Sequence, residues 1–281
     1  MKRFLMGLAM CAASIGAMAQ EAENKEIIKD GWNFGPLPVV GFDSDLGFQY
    51  GVCLDIFNFG DGSRYPSYDY KMNLEASTFT GGSSLLRFYG DFKTLIPDGK
   101  LFVDCTYFTA KKYDFYGYNG YASPFFVDGI GLEEGVTSAL NMMSRNQFRF
   151  VASVQQKIAG NLYWTLGLGY YNIKTGGVKL DEYKDQRTLY HLYRQVGLIR
   201  EDEAEGGNVL QFKAGLVYDT RDHDSDPTRG VNIEATLVGA PDIIDRKGYS
   251  NVGLTFVGSH YVPVWKDKLT FAYRLGMQAN I

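Results

Sequence analysis

Segment 219–230 carries the densest group of chemically capable side chains in the sequence. Three of its aspartates alternate as D-x-D-x-D, the spacing with which a calcium-binding loop begins. An EF-hand also needs glycine at the sixth position and glutamate at the twelfth, and this sequence has Pro227 and Ile233 there. The pattern therefore excludes an EF-hand, leaves a looser divalent-cation site as the alternative, and favours a structural turn without metal.

The same segment has the residue types of a rigid turn between two strands. Proline restricts φ, aspartate side chains accept hydrogen bonds from backbone amides, and glycine takes up positive φ where the chain reverses. We therefore predict a turn whose defining residues are Asp219, Arg221, Asp222, Pro227, Thr228, Arg229 and Gly230.

Residues suited to nucleophilic catalysis are sparse. His191, His223 and His260 are far apart in sequence, and neither a G-x-S-x-G nor an H-E-x-x-H motif is present. Ser259 precedes His260, but neighbours on a strand point to opposite faces of a sheet and cannot share a site. We predict a protein that is not an enzyme and has no catalytic residues, bound metal or cofactor.

Long alternating segments dominate the rest of the chain. Apolar side chains occupy every second position over 46–56 and 68–78, and eight later segments repeat the pattern. Strands of soluble proteins usually have about 5–6 residues, whereas a tilted strand that crosses a bilayer has about 9–11. With 36–42 as a short additional strand, the sequence predicts an all-β fold: an antiparallel transmembrane β-barrel with 10–11 strands present.

The polar face of these segments would line the barrel interior. Its charges have both signs, which is compatible with a selective pore but favours an ion-paired network that stiffens the interior. The predicted lumen-facing charges are Asp55, Lys71, Glu75, Arg87, Asp91, Asp104, Arg149, Lys213, Glu234 and Arg274. Short links such as 96–99 and long links such as 111–146 alternate over most of the chain, as in outer-membrane barrels. Aromatic residues of the 111–146 link would bind a surface ligand or form a lid.

The first 19 residues resemble a secretory signal peptide. A basic start precedes an apolar core, and Ala17-Met18-Ala19 is a small-residue cleavage pattern. We predict a signal peptide over 1–19, a short periplasmic segment over 20–35 and an incomplete barrel domain over 36–281. Removal of the leader leaves Cys53 and Cys105, which the strand pattern places on opposite faces as free thiols. Lysine and arginine total 28 against 32 acidic residues, which argues against nucleic-acid binding.

The predicted turn resembles the periplasmic turn of the BamA/TamA-type family of outer-membrane barrels, also called bacterial surface antigens. The family pattern is a strand ending in Asp-x-x-Asp, a polar stretch, and then Pro-Thr-x-Gly before the next strand. Asp219, Asp222, Pro227, Thr228 and Gly230 match it position by position. The segments 38–48 and 251–278 also resemble the family, so that the resemblance extends over about residues 36–281.

Two departures from the family accompany this resemblance. Only segment 20–35 precedes the barrel, so POTRA domains are missing. Family barrels have about sixteen strands, an Arg-Gly motif in a late loop and a last strand with a terminal aromatic residue, and the chain stops before these features. We therefore expect a truncated family barrel with the cell outer membrane as its location.

The resemblance implies a protein that aids assembly or insertion of outer-membrane components. A passive channel or a structural barrel is the alternative interpretation. The implied partners are outer-membrane lipids and lipopolysaccharide, together with the barrel assembly machinery during biogenesis. The sequence does not identify a client protein. In such a turn, Arg221 and Arg229 are expected near lipid headgroups.

Overall fold

Eleven strands form one antiparallel sheet in which spatial order follows chain order. The computed structural model describes residues 28–118, 138–181, 187–224, 226–248, 250–265 and 268–280. The strands are β1 (Trp32–Asp43), β2 (Gly47–Asn58), β3 (Tyr70–Phe79), β4 (Ser84–Phe92), β5 (Gly99–Asp114), β6 (Met142–Ala159), β7 (Leu162–Gly176), β8 (Gly206–Asp219), β9 (Gly230–Ala240), β10 (Asn251–Trp265) and β11 (Leu269–Asn280). The predicted all-β, antiparallel class is confirmed.

Several strands are longer than their apolar pattern. β1 begins at Trp32, four residues before the predicted barrel boundary at residue 36. β5 and β6 continue beyond the alternating segments, with an irregularity between Ala110 and Tyr113, so the predicted limits of the 111–146 link were wrong at both ends. The reason is that backbone pairing continues without apolar side chains once neighbouring strands are in register.

Two short helical segments interrupt the links, and the sequence interpretation included neither. A 3₁₀ helix spans Ser138–Asn141, and α1 spans Leu189–Gln195. Thr188 begins α1, because its side chain accepts a hydrogen bond from the amide of His191. Within the described ranges, the helices are too short and too polar to cross a membrane.

The two faces of the sheet differ in chemistry. The register aligns Leu54, Leu74 and Phe88 on one face, which we call the outer face. Cys105 lies opposite Phe88 on this face, whereas Cys53 lies opposite Glu75 on the other, inner face. Both cysteines are free, which confirms the prediction made for them.

Burial is inverted relative to a soluble protein. On the inner face, Asp91 is 5% exposed and Thr236 is 3% exposed. On the outer face, large apolar side chains such as Val52 at 66% and Leu275 at 68% are open. Soluble monomers rarely expose a continuous apolar surface of this extent. The polar face is therefore the covered one.

The links define two ends of the sheet. We call one the turn end, and its described link residues are 59–69, 93–98, 160–161, 220–224, 226–229 and 268. The described link residues of the opposite lid end are 44–46, 80–83, 115–118, 138–141, 177–181, 187–205, 241–248 and 250. Lys93 and Asp224 belong to links four strands apart yet form an ion pair at 3.0 Å. On a flat sheet, these links would be about 19 Å apart, so the sheet is rolled with its inner face concave.

Candidate functional site

The β8–β9 turn is organised around the carboxylate of Asp222. One oxygen accepts hydrogen bonds from the amides of Thr228 at 3.0 Å and Arg229 at 3.3 Å, and the other accepts the Thr228 hydroxyl at 2.5 Å. The amide of Asp222 in turn donates to the Arg229 carbonyl at 3.3 Å. The Asp222 side chain thereby pairs with polar groups of Thr228 and Arg229, where the chain turns back toward β9. This geometry explains the spacing between Asp222 and the Pro-Thr pair.

Gly230 ends the turn in a conformation that other residues avoid. Its φ is +103°, and an added Cβ would lie 2.3 Å from the carbonyl oxygen of Thr220. The Thr220 amide donates to Val231 at 2.8 Å directly beside it. A glycine is therefore required where the chain enters β9.

Arg221 folds back onto its own turn. Its guanidinium makes two hydrogen bonds to Asp219, at 2.6 and 2.9 Å, and approaches Asp224 at 3.4 Å. The Arg221 side chain is only 17% exposed. Asp219 and Asp224 therefore hold this arginine within the turn, and its position relative to lipid headgroups stays a prediction. Arg229 is exposed.

Lys93 connects the turn to the opposite wall of the sheet. It follows β4 and pairs with Asp224 at 3.0 Å, and its ammonium lies 4.2 Å from the ring centroid of Tyr68. The Tyr68 hydroxyl donates to Asp91 at 2.7 Å. A cation between a carboxylate and an aromatic face is stabilised by both. Three links therefore converge over the inner face at the turn end, and we call Tyr68, Lys93, Arg221 and Asp224 the turn-end bridge.

Electrostatics favour ionised carboxylates in this turn. Hydrogen bonds from Thr228, first from its hydroxyl and then from its amide, hold the pKa of Asp222 well below its usual value. Burial works against ionisation of Asp224, but the charges of Lys100 and Lys93 outweigh it, so its pKa is also lowered.

The three alternating aspartates do not converge on a cation site in this arrangement. The carboxylate of Asp222 accepts hydrogen bonds from its own turn, and the carboxylate of Asp224 forms an ion pair with Lys93. Over the residues that the structure describes, no three His, Cys, Asp or Glu side chains are placed to share a metal ion.

The inner wall contains a carboxylate shared by two arginines. Asp104 accepts from Arg87 at 2.8 Å and from Arg149 at 2.7 Å, and the Thr106 hydroxyl adds a third hydrogen bond at 2.8 Å. Asp104 is 14% exposed on its side chain, which makes the pairing stronger than at a free surface. These residues tie β4, β5 and β6 together across the wall.

The other predicted lumen charges also occupy the inner face, but in smaller groups. Lys213 pairs with Glu234 between β8 and β9. Asp55 accepts from Asn73 at 2.8 Å, and Glu75 accepts from Ser77 at 3.0 Å. Of the other three charges, Lys71 lies over the Phe57 ring and Asp91 accepts a hydrogen bond from the Tyr68 hydroxyl. Arg274 lies opposite Ser259 in the register. The ten residues therefore share a face, and five of them are joined by ion pairs.

Aromatic packing joins two links at the lid end. Phe115 contacts Tyr190 and Tyr193 edge-on, with ring centroids 5.9 and 5.7 Å apart, and Tyr118 stacks on Tyr193 at 5.7 Å. Tyr190 is 2% exposed and donates to the carbonyl of Ala204. We call residues 115–118, 138–141 and 187–205 the lid. Of the predicted loop aromatics, Tyr121, Phe125 and Phe126 lie outside the described residues.

No protein-family model matches the chain, and no curated protein matches it. Among solved structures, the chain is similar to the crystal structure of BamA from Haemophilus ducreyi lacking POTRA domains 1–3, with a TM-score of 0.48 and 16% sequence identity. The similar region covers 90% of this chain and 41% of that one, so the chain spans about two fifths of its length.

Sequence reasoning located the turn but not its partners. Lys93 and Tyr68 occupy ordinary link positions, and no pattern around them indicates a contact with segment 219–230. The Ser259 and His260 pair separates as expected from strand geometry, with His260 on the outer face 2.6 Å from the Tyr273 hydroxyl. Lid residues Tyr190 and Tyr193 were also missed, because they lie in an irregular link with a short helix.

Proposed function

We propose that this chain is the membrane-embedded sheet of an outer-membrane β-barrel protein of the BamA/TamA type. The carrying observation is the inversion of burial: apolar side chains are open on the outer face, while charged and amide side chains are covered on the inner face. Lipid satisfies an apolar outer face, and a strand sheet satisfies its own backbone groups in lipid.

The height of the apolar band supports this proposal. On β7, the outer face runs from Trp164 through Leu166, Leu168 and Tyr170 to Asn172. The eight residue-to-residue steps from Trp164 to Asn172 rise about 26 Å, and the usual strand tilt reduces this to about 20 Å across the bilayer. Aromatic rings near both limits of the band are typical of membrane interfaces.

A charge placed at two depths on one strand tests membrane embedding. We expect Leu168→Arg, at the middle of the band, to destabilise the folded protein by about 2–4 kcal/mol, and Leu162→Arg, at the turn end, by about 0–1 kcal/mol. The readout is the heat-modifiable migration of protein refolded into lipid vesicles. Leu168 is 41% exposed and Leu162 is half-buried, so in a water-facing sheet Leu168→Arg would be no more destabilising than Leu162→Arg, and that result would contradict the proposal.

The biological role proposed here is to aid assembly or insertion of outer-membrane components. The matched turn residues support it through resemblance, and the bridge at the turn end and the ion-paired inner wall argue against a passive channel. Deletion of the gene is expected to lower the amounts of other outer-membrane proteins or disturb lipid asymmetry. An unchanged outer-membrane proteome and normal asymmetry would contradict assembly, whereas steady conductance in planar bilayers would favour the channel.

The domain organisation remains a proposal. The proposed leader, residues 1–19, lies outside the described residues, and the proposed 20–35 segment overlaps the start of β1 at Trp32. Mass spectrometry of the exported protein should find a mature N-terminus at Gln20. The absence of an enzymatic role, and the lipid, lipopolysaccharide and assembly-machinery partners, also belong to this proposal.

A further inference from the structure

A row of polar side chains crosses the outer face at the lid end of β5, β6 and β7. Thr109 lies opposite Asn146, and Asn146 lies opposite Lys174. Neighbouring strands are about 4.8 Å apart, so a hydroxyl, an amide and an ammonium group form one continuous row. We call these three residues the polar row.

The side chains of the polar row are not paired with other described residues. Over the part of the chain that the structure describes, none of its three side chains has a hydrogen-bonding or ion-pairing partner. Lys174 is exposed, and Thr109 and Asn146 are half-buried. Elsewhere on the outer face at this end, such groups are paired: Asn172 donates to Asn208 at 2.8 Å, and Tyr170 donates to the same oxygen at 2.7 Å.

The polar row lies directly above the apolar band. One step toward the turn end, Tyr107 is opposite Phe148, whose ring is 6.2 Å from that of Tyr170. Below these rings the outer face is apolar, including Phe150 and Leu168. A ligand at the polar row would therefore hold its polar head at the membrane boundary and its chains against the band.

The turn end of the same three strands has a different composition. There, Gly99 lies opposite Gln156 and Gln156 lies opposite Trp164 on the outer face, and none of the three is a cation. The two membrane boundaries thus offer different partners to the two leaflets. An ammonium beside an amide and a hydroxyl matches a phosphate attached to a hydroxyl-rich headgroup, because the ammonium binds the phosphate and the neutral groups bind sugar hydroxyls.

We propose that Thr109, Asn146 and Lys174 form a binding site for the phosphorylated saccharide headgroup of a glycolipid in the leaflet at the lid end. The acyl chains of that glycolipid lie against the apolar band below Tyr107 and Phe148. This inference rests on the proposed function, since it requires the outer face to be in a membrane.

The test compares two matched double variants of the full chain. N146L/K174Q removes the amide and the charge at the polar row. Q156L/K268Q removes one amide and one charge at the turn end: Gln156 lies on the same strand and outer face and donates to the Pro97 carbonyl at 3.3 Å, and Lys268 is an exposed residue of the β10–β11 link. Each protein is refolded into phosphatidylcholine vesicles with and without lipid A, an acylated glucosamine disaccharide diphosphate, and retained lipid A is measured by native mass spectrometry.

We expect lipid A retention to fall about tenfold for N146L/K174Q and to stay at the wild-type level for Q156L/K268Q. Retention should also weaken as salt screens the Lys174 contact. Equal retention by both variants would overturn the site, as would equal retention of phosphatidylglycerol in place of lipid A. If N146L/K174Q does not fold, the single variant K174Q replaces it, because K174Q changes only an exposed side chain.

Failure of the underlying proposal has a separate signature. If wild-type protein does not enter vesicles at all, the membrane proposal fails. If it inserts and shows heat-modifiable migration but does not distinguish lipid A from phosphatidylglycerol, only the glycolipid site fails.

Discussion

The links at the two ends of the sheet are joined by different physical interactions. At the turn end, links four strands apart are joined by charge, through Lys93 and Asp224, and Arg221 is held by two carboxylates. At the lid end, links are joined by ring contacts around Tyr190, which is almost fully buried. The first arrangement responds to salt and pH, and the second depends on excluded water and packing.

This difference indicates how each end can open. An ion pair with an exposed member is worth little and is screened by salt, so the Lys93–Asp224 pair can be released without unfolding the sheet. A buried aromatic cluster loses its contacts together, so the lid opens as a unit. We therefore expect independent behaviour of the two ends, and the following variants test it.

The largest effect is expected in the lid. Tyr190→Ala removes a buried ring and its hydrogen bond to Ala204, which should destabilise the closed lid by about 3 kcal/mol. Trypsin cleavage at Arg194 and Arg200 in protein reconstituted into vesicles should become much faster. Val196→Ala is the control, since that side chain lies in the same lid segment, is 68% exposed and is not part of the ring contacts. Equal cleavage rates for the two variants would mean that the ring cluster does not hold the lid.

The next effect is expected in the turn. Arg221→Ala leaves the 12%-exposed side chain of Asp219 without its guanidinium partner, which should cost about 2 kcal/mol. Arg229→Ala removes an exposed side chain of the same type from the same turn and should be near neutral. The heat-modifiability midpoint on gels measures both. If Arg229→Ala were the more destabilising change, our assignment of the two arginines would be reversed.

A smaller effect is expected for the ion pair between distant links. The coupling between Lys93→Gln and Asp224→Asn in a double-mutant cycle should be below about 1 kcal/mol, because Asp224 is 41% exposed. The coupling should vanish at high salt. The ring contacts of the lid should keep their protection from trypsin at the same salt concentration. A coupling that is insensitive to salt would show that Lys93 acts through packing on Tyr68 and not through charge.

The smallest effect is a pH dependence confined to the turn. Because the folded-state pKa of Asp222 is lowered, its stabilising contribution is complete above the unfolded-chain pKa of about 3.9 and is lost as pH falls through the folded value. The stability difference between wild type and Asp222→Asn should therefore shrink below pH ~4. Heat-modifiability midpoints across that range give the measurement, and a constant difference would show that the charge of Asp222 is unimportant.

Much of the strand architecture could be predicted from the sequence, with errors at particular boundaries. The alternation over 46–56 corresponds to β2 (Gly47–Asn58), because strand side chains repeat every two residues whatever the neighbours are. The same rule fails for β6, which extends to Met142 through residues such as Arg145 that lack an apolar alternate. There the pairing with β5 and β7 sets the length.

The candidate site divides in the same way. The sequence could predict Asp222, Thr228 and Gly230 as parts of one turn, since a turn is built from contacts within a few residues. The neighbours that complete the site, Lys93 and Tyr68, have no local signature. Their approach depends on how far the sheet rolls between β4 and β8.

By itself, the sequence determined the strand class, the chemistry of each face and the turn at 219–230, because these depend on the two-residue period of a strand and on short-range hydrogen bonds. Only the tertiary structure decided that Lys93 meets Asp224, that Tyr190 is buried in a lid, and that Thr109, Asn146 and Lys174 form one row. Such contacts join residues far apart in the chain, and strand register and sheet curvature bring them together through the summed pairing of many strands.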